Sequence, residues 1–314
     1  MVILLLHAAS FLSFAHVQNH RCKQRVWPWL SFELPCSVFE YNCYRHNTTT
    51  IPENAFEGIE HEVLSILIIA HCPALVIPTS IRFLTHLVGF EIYNSTIVDW
   101  STKAAICESR HRKLKYVVIA RSNMTRLPNG LLEPLPLGLI DIDIAVSNLT
   151  SLLDDLDQKW GHPLSTLFIE QCQLDEFPIA LTRLDVKELS LSGNKLTFMD
   201  LVKLSDHFDK LTTLVLLGMP LRELPATMPP NIRMIELVSL EDTQIVTLPF
   251  WTKAAATFRT TTTVFVSGTP LCASLSDRTI AAEYGPHAVI SCMAQSAYVH
   301  GMFPLDLVTQ MRVL

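Results

Sequence analysis

Hydrophobic residues recur along most of this chain at one characteristic spacing. One copy places Val186, Leu189, Leu191 and Leu196 around Asn194. Apolar residues at every second position, such as Leu189 and Leu191, are typical of a short β-strand that buries one face. A single copy is a weak signal. The same spacing in series predicts a stack of strands, each followed by a turn.

The position that Asn194 holds defines the period of the pattern, and we call it the ladder position. The sequence predicts ten ladder positions, of which the first belongs to a degenerate turn: His46, Cys72, Ser95, Ser122, Ser147, Cys172, Asn194, Met219, Leu240 and Thr269. Consecutive ladder positions lie about 25 residues apart, which indicates a repeat architecture. The copy with Leu240 is looser than most, because it requires an insertion before Ile245.

This series resembles the leucine-rich repeat family over roughly residues 41–272. The resemblance implies an α/β fold, a leucine-rich repeat solenoid curved into a horseshoe, with a parallel sheet on the concave face and a helical or irregular convex side. An Asn at the ladder position would hydrogen-bond backbone groups of the turn, and Cys, Ser or Thr would substitute in part. Because Asn194 is the one Asn among the ladder residues, we expect a less regular ladder.

The convex side is predicted to carry short helices. One is expected from Thr102 to His111. A second is expected to begin after Leu152, where acidic residues favour the helix dipole. Three acidic residues occur there: Asp154, Asp155 and Asp157. The start of a helix accounts for them, so they do not require a metal ion.

Cysteines near both ends of the repeats predict caps closed by disulfides. We expect residues 46–272 to form a solenoid of nine or ten repeats. A C-terminal cap over 273–314 would be closed by a Cys272–Cys292 disulfide. An N-terminal cap would cover residues 16–45. Its sequence leaves two pairings open: Cys36–Cys43 and Cys22–Cys36.

Two further cysteines, Cys72 and Cys172, occupy ladder positions. There we expect buried free thiols. The chain has no C-x-x-C pair, so a zinc site has little support. The sequence therefore predicts no metal and no cofactor.

The first residues of the chain raise the question of a membrane segment. No residue from Val2 to Val17 is charged at neutral pH, and Ser13-Phe14-Ala15 offers a small-x-small cleavage site. We expect residues 1–15 to be a cleaved signal peptide. The alternatives are an uncleaved anchor or the stub of a longer membrane protein.

Four Asn-x-Ser/Thr sequons predict N-glycosylation: Asn47, Asn94, Asn123 and Asn148. The last three lie beside ladder positions, at the exposed end of a strand. The sequons agree with the signal-like start and the cap cysteines in predicting an oxidising setting. We therefore expect a protein that is secreted or lies on the extracellular face of the plasma membrane.

A binding surface can be predicted from the repeat register. Residues six, four and two positions before each ladder position are expected to face solvent on the concave side. Over nine repeats these positions hold six acids, four aromatic residues and no Lys or Arg. The predicted ligand-binding centre comprises Glu91, Tyr93, Tyr116, Asp141, Asp143, Phe168, Glu170 and Glu188.

Charge complementarity and aromatic anchors at this centre would favour a basic protein or peptide. The alternative is that these residues are ordinary strand formers, with the acids serving solubility. The apolar ends of the face, such as Ile66 and Val215, are either further contacts or poorly solvated strands.

Composition excludes several other classes of protein. The chain has 314 residues, of which 49% are hydrophobic and 17% charged, so it is not a disordered polymer. Its net charge of −6 argues against a strongly basic nucleic-acid binder. It contains no G-x-S-x-G, H-E-x-x-H, Walker-type or kinase signature, so we expect no enzyme activity and no catalytic residue.

The sequence thus predicts a non-catalytic recognition module that binds a protein or peptide on the concave face of an extracellular solenoid. One alternative is the ectodomain fragment of a larger receptor-like membrane protein, and another is an intracellular scaffold. Membrane contact would occur through the N-terminal segment or a partner. The ligand's identity and the oligomeric state stay open.

Overall fold

The computed structural model describes residues 21–26, 35–197, 210–226, 234–249, 262–275, 288–294 and 303–304. It divides the chain into two compact units, Met1–Leu139 and Ile140–Leu314. The predicted signal peptide, residues 1–15, lies outside the described residues. In the part of the chain that the structure describes, no helix has the length and hydropathy needed to cross a membrane.

The first unit is a sheet built from the early repeats. Its strands are β1 (Cys22–Arg25), β2 (Cys36–Asn42), β3 (Ile66–Ala70), β4 (Leu75–Val76), β5 (Gly89–Tyr93), β6 (Ile97–Asp99) and β7 (Tyr116–Ala120). β1 pairs antiparallel with β2, and β2, β3, β5 and β7 follow in parallel. β4 and β6 form a separate parallel pair. Short 3-10 helices connect the strands at Thr79–Phe83, Thr102–Ala104 and Asn129–Leu131.

The second unit continues the pattern with parallel strands alone. They are β8 (Asp141–Ala145), β9 (Leu164–Glu170), β10 (Val186–Ser190), β11 (Thr213–Val215), β12 (Leu237–Ser239), β13 (Thr262–Phe265) and β14 (Ala288–Ser291). Each strand pairs in parallel with the next one along the chain. The connections include a 3-10 helix (Ile179–Thr182) and two α-helices, α1 (Leu156–Trp160) and α2 (Pro270–Ser274).

The two apolar strand positions of each repeat point into the core, as the spacing predicts. Leu67 and Ile69 in the first unit, and Leu167 and Ile169 in the second, are fully buried. Large aromatic side chains fill the space behind the strands. The Phe90 and Trp100 rings, for example, meet edge to face with centroids 5.3 Å apart. These parallel strands with sparse helices confirm the predicted fold class.

Convex helices are shorter than the sequence predicts. Only Thr102–Ala104 is helical in the predicted segment from Thr102 to His111, and it is a 3-10 turn. His111 is fully buried, and its Nε2 atom donates to the Ile81 carbonyl at 3.2 Å. The acidic run fits its prediction better, since Asp155 and Asp157 lie at the start of α1.

The residue before each ladder position adopts a left-handed backbone conformation. In seven cases its N–H donates to a backbone carbonyl of the following repeat, as from His71 to Tyr93 at 3.0 Å or from Val146 to Glu170 at 2.9 Å. A β-branched residue such as Val146 (φ 55°) resists this conformation. The inter-repeat hydrogen bond must therefore stabilise the turn. Nine residues share the geometry: His71, Asn94, Arg121, Val146, Gln171, Gly193, Gly218, Asp242 and Gly268.

This geometry corrects one predicted ladder position. Asp242 is the left-handed residue of its repeat, and its N–H donates to the Ser267 carbonyl at 2.9 Å. The ladder residue is therefore Thr243 and not Leu240, whose side chain is buried in the core. The apolar positions of this copy then fit the repeat without an insertion: Ile235, Val238, Leu240, Ile245 and Leu248.

The first repeat is also displaced from its predicted register. Phe39 pairs with Leu67, and Tyr41 pairs with Ile69. The sequence predicts Tyr41 opposite Leu67 and a ladder position at His46, which is wrong by two residues. Alternation of apolar residues continues through this strand, so the pattern alone did not fix its register.

The ladder residues bond to backbone atoms, as expected for Asn and its substitutes. Asn194 Nδ2 donates to the Ile169 carbonyl at 2.7 Å and to the Leu191 carbonyl at 2.8 Å, and its Oδ1 atom accepts from Leu174 N at 3.2 Å. Ser95 makes a reduced version of this network. Its Oγ atom donates to the Tyr93 carbonyl and accepts from Cys72 N. Two of these three bonds link Asn194 to the preceding repeat, and the third closes the turn of its own repeat.

Disulfides form at both ends of the chain. Cys22 bonds to Cys36, the second of the two pairings that the sequence left open. Cys272 bonds to Cys292.

A third disulfide joins Cys43 to Cys72. The expectation of a free thiol at Cys72 is therefore wrong. The parallel register places Cys72 beside the residues that follow β2, where Cys43 reaches it. Cys172 is a buried free thiol, and burial raises its pKa to about 12.

The role of Asn194 can be tested by substitution. We expect Asn194→Ala to lower the free energy of unfolding by about 3 kcal/mol, because it leaves three buried backbone groups without a partner. Asn194→Ser should cost less, since serine serves at other ladder positions of this chain. Urea unfolding followed by circular dichroism measures both. Equal losses for Ala and Ser would contradict the bonding role of this side chain.

Candidate functional site

The outer face of each sheet is the side that points away from the core. It carries the residues six, four and two positions before each ladder position. The first of these three positions is mostly half-buried, as at Tyr116, Asp141 and Glu188. The middle position is buried in most described repeats, as at Ile68, Asp143 and Ser190, because side chains on neighbouring strands pack together at the narrow interstrand spacing. The outer face is therefore less exposed than the sequence predicts.

The corrected ladder changes the outer face of one repeat. Leu237, Ser239 and Glu241 lie there, in place of the predicted Met234, Glu236 and Val238. Ser239 Oγ donates to Glu241 Oε2 at 3.1 Å. The sequence missed this buried glutamate because it assigned the register three residues too early.

In the first unit, three predicted site residues form one hydrogen-bonded group. Glu91 Oε2 accepts from the Tyr93 hydroxyl at 3.0 Å, and Glu91 Oε1 accepts from the Tyr116 hydroxyl at 2.9 Å. The Tyr116 ring lies over Gly89, where a Cβ atom would approach its Cζ atom to 2.2 Å. Both oxygens of the Glu91 carboxylate are thus occupied by tyrosines, and Gly89 makes room for one of them.

The second unit holds the remaining predicted residues on three adjacent strands. The register aligns Asp141 of β8 with Thr166 of β9 and Glu188 of β10. The next outward row aligns Asp143 with Phe168 and Ser190. Phe168 therefore lies between an aspartate and a serine. We call the four acids of this region the acidic cluster: Asp141, Asp143, Glu170 and Glu188.

Two oxygens of the acidic cluster are buried without a partner. A hydrogen bond between the carboxyl groups of Asp141 and Asp143 contributes to the pKa of both. The Oδ1 atom of each makes no hydrogen bond within the described residues. Asp143 is only 8% exposed. A buried oxygen without a donor is costly, which makes this pair the least satisfied polar site in the sheet.

Glu170 has donors for both of its oxygens. Ser190 Oγ donates to Oε1 at 2.5 Å, and the backbone N–H of Phe303 donates to Oε2 at 3.2 Å. Ser190 also contacts the hydroxyl of Ser192 at 3.0 Å. Sequence analysis did not single out Phe303, since no local pattern connects it with a residue 133 positions away.

Burial and mutual repulsion raise the pKa values of three acids of the cluster, Asp141, Asp143 and Glu170. Burial, with a contribution from the charge of Glu188, raises the pKa of Asp141 to about 6. Burial, together with the charges of Asp141 and Glu170, raises the pKa of Asp143 well above its usual value. Burial also raises the pKa of Glu170 to about 7.

The acidic cluster forms no ion pair among the described residues. None of its four carboxylates lies within 4.0 Å of a Lys, Arg or His nitrogen there. No group of ligands suited to a metal ion occurs in the described part of the chain either. The described residues thus leave the four acids without a direct cationic partner.

The predicted glycosylation sites all lie on turns beside the strands. Asn47 and Asn123 are exposed, whereas Asn94 and Asn148 are half-buried. Asn47 and Asn94 line one shallow cleft beside the Cys43–Cys72 disulfide. These positions place the sequons at the ends of the strands, away from the middle row of the outer face.

The raised pKa values predict how Asp143→Asn affects stability. Above pH 4 the unfolded chain ionises Asp143, whereas the folded chain keeps the proton. Asp143 therefore destabilises the wild type as pH rises through this interval, and the Asn variant lacks this contribution. We therefore expect the free energy of unfolding of Asp143→Asn to increase relative to that of the wild type as pH rises. The increase should be about 1.4 kcal/mol for each pH unit between the unfolded and the folded pKa of Asp143.

Urea unfolding at pH 4 and pH 8 measures this gain. Glu236→Gln is the matched control, because Glu236 is exposed in the same unit. It should show no such pH dependence. A stability difference between wild type and Asp143→Asn that is the same at both pH values would contradict the assignment of a retained proton.

The sequence matches no protein-family model and no curated protein. Solved structures resemble the chain in fold. The leucine-rich repeat structure of FLRT2, solved in an octameric complex with Latrophilin 3 and Unc5D, superposes with a TM-score of 0.53 at 15% identity. The match covers 90% of this chain and 92% of that one.

Two bacterial proteins have similar folds. InlP of Listeria monocytogenes matches with a TM-score of 0.52 at 15% identity, over 84% of this chain and 72% of that chain. The leucine-rich repeat domain of the type III effector XopL matches with a TM-score of 0.50 at 13% identity, over 84% of this chain and 89% of that domain. The repeats of the sequence, the parallel strands of each unit and these likenesses together show that the chain has a leucine-rich repeat fold.

Proposed function

We propose that this protein is a non-catalytic recognition module that binds a basic segment of a partner protein on the outer face of its second unit. The observation that carries the proposal is the Asp141–Asp143 pair, in which the buried Oδ1 atom of each residue has no hydrogen-bond partner within the described residues. A guanidinium or ammonium group that reached these atoms would supply the missing donors and the missing positive charge.

The surroundings of the pair favour a peptide over a small ion. Phe168 lies in the same row as Asp143, so an aromatic surface borders the acidic site. Aromatic residues and charged pairs that lose water on binding are typical anchors of protein interfaces. In the first unit the Glu91 carboxylate already accepts from two tyrosine hydroxyls, so it offers less to a cationic ligand than the second unit does.

Further support comes from the fold and the cysteines. FLRT2, which shares the fold, was solved in a complex with other proteins. Three disulfides favour an oxidising, extracellular setting over an intracellular scaffold, because such bonds are rare in the cytosol. The same features suit a secreted module and the ectodomain of a receptor-like protein, and both would use the same binding face.

Binding of a basic peptide tests this proposal. The probe is a labelled acetyl-GRFRG-amide, in which two arginines flank a phenylalanine, and fluorescence anisotropy reports its Kd. We expect the double variant Asp141→Asn/Asp143→Asn to bind about tenfold more weakly, which corresponds to 1.4 kcal/mol. Glu236→Gln, an exposed acid of the same unit, should bind as the wild type does.

The raised pKa values give the same experiment a pH dependence. A cationic ligand prefers the ionised carboxylates, so it must displace the retained protons. Affinity should therefore increase from pH 5.5 to pH 8. The uncharged peptide acetyl-GQFQG-amide should show no such increase. Equal affinity of the arginine peptide for wild type and double variant at pH 8 would refute the proposed site.

A further inference from the structure

We propose that the chain's own C-terminal segment, at Phe303–Pro304, occupies the outer face of the second unit and must be displaced when a partner binds. The inference rests on the proposed function for the identity of the competing ligand. The placement of Phe303 on the sheet is independent of that function.

The first step is the contact itself. Phe303 N lies 3.2 Å from Glu170 Oε2, and Glu170 belongs to the outer face of β9. Phe303 is 8% exposed, although it lies near the end of the chain. A backbone N–H that donates to a buried carboxylate makes a charge-assisted bond whenever that carboxylate is ionised. Phe303 is therefore hydrogen-bonded to the sheet, and its side chain is buried.

The second step is the local conformation that Pro304 imposes. A residue before proline favours an extended backbone. Phe303 is thereby biased towards an extended conformation, and Pro304 itself contributes no N–H. The segment thus offers the sheet one backbone donor and one aromatic side chain, which is the pattern of a short bound peptide.

The third step is what this occupant leaves unsatisfied. It provides a donor to Glu170, but the Oδ1 atoms of Asp141 and Asp143 remain without one within the described residues. The sequence from 298 to 309, YVHGMFPLDLVT, contains no Lys or Arg and one Asp. Phe303 and Pro304 themselves bring no cationic side chain to the carboxyl pair. A partner with both an aromatic and a basic residue would make the same contact and also neutralise the pair.

The consequence is competition between the segment and the partner. Because the segment is part of the chain, its effective concentration at Glu170 is high, and it lowers the apparent affinity of any ligand that needs this face. Weakening the segment should strengthen binding of the basic probe. This is the opposite of what the loss of a ligand contact would do.

Hydrogen exchange tests the placement of Phe303 without any ligand. We expect the Phe303 amide, resolved by fragmentation mass spectrometry, to exchange at least tenfold more slowly than its intrinsic rate in the wild type. Glu170→Ala should abolish this protection, and the control Glu236→Ala should leave it unchanged. Exchange at the intrinsic rate in the wild type would overturn the inference.

Peptide binding tests the competition. We expect Phe303→Ala to bind acetyl-GRFRG-amide three- to tenfold more tightly than the wild type. Phe83→Ala is the matched control, because Phe83 is 51% exposed in the first unit, and it should bind as the wild type does. Equal affinities of Phe303→Ala and wild type would overturn the competition.

Saturating probe added to the wild type should also remove the protection of the Phe303 amide, so the test does not depend on the folding of any variant. Protection that persists in the saturated complex would overturn the competition. A chain that protects Phe303 but binds no peptide would support its placement and refute the proposed ligand, which separates the two failures.

Discussion

The structure depends on one backbone hydrogen bond that recurs from repeat to repeat. At seven turns, a residue in a left-handed conformation directs its N–H to a carbonyl of the next repeat, as from Gln171 to Ser192 at 2.7 Å. The bond fixes the start of the turn relative to the neighbouring strand. It also explains how residues such as Val146 and Gln171 hold a conformation that glycine adopts with less strain. Because each repeat can bury its apolar face only against its neighbours, this bond and the stacked core support each other.

The same geometry determines the chemistry of the outer face. Close strand spacing buries the middle row of side chains, so acids placed there lose water even though they point away from the core. In the first unit, tyrosine hydroxyls compensate Glu91. In the second unit, Ser190 and Phe303 donate to Glu170, whereas Asp141 and Asp143 each have one buried oxygen without a partner among the described residues. A cationic ligand would therefore form more new hydrogen bonds on the second unit than on the first.

Particular residues show how far the repeat pattern can be followed in the sequence. The sequence predicts the core positions of most copies, because the alternate apolar residues of a strand are all buried only when they share the face that points into the core. The copy around Leu240 was assigned wrongly, since Ile235, Leu237, Val238 and Leu240 allow two registers with similar apolar content. The left-handed conformation of Asp242 selects the register that places Thr243 at the ladder position. The sequence does not predict this conformation, because Asp242 is not a glycine. Cys72 was mistaken for a free thiol because its partner, Cys43, belongs to a repeat whose register was also displaced.

By itself, the sequence determined the period, the strand positions of most repeats and the fold, because these follow from the burial of regularly spaced apolar residues. It also identified the residues of the acidic cluster, since the ladder position indicates which side chains point outward. Tertiary structure alone decided their burial, the Cys43–Cys72 pairing and the contact between Phe303 and Glu170. The physical reason is that burial, disulfide geometry and long-range hydrogen bonds depend on distances between repeats, and a local pattern does not contain those distances.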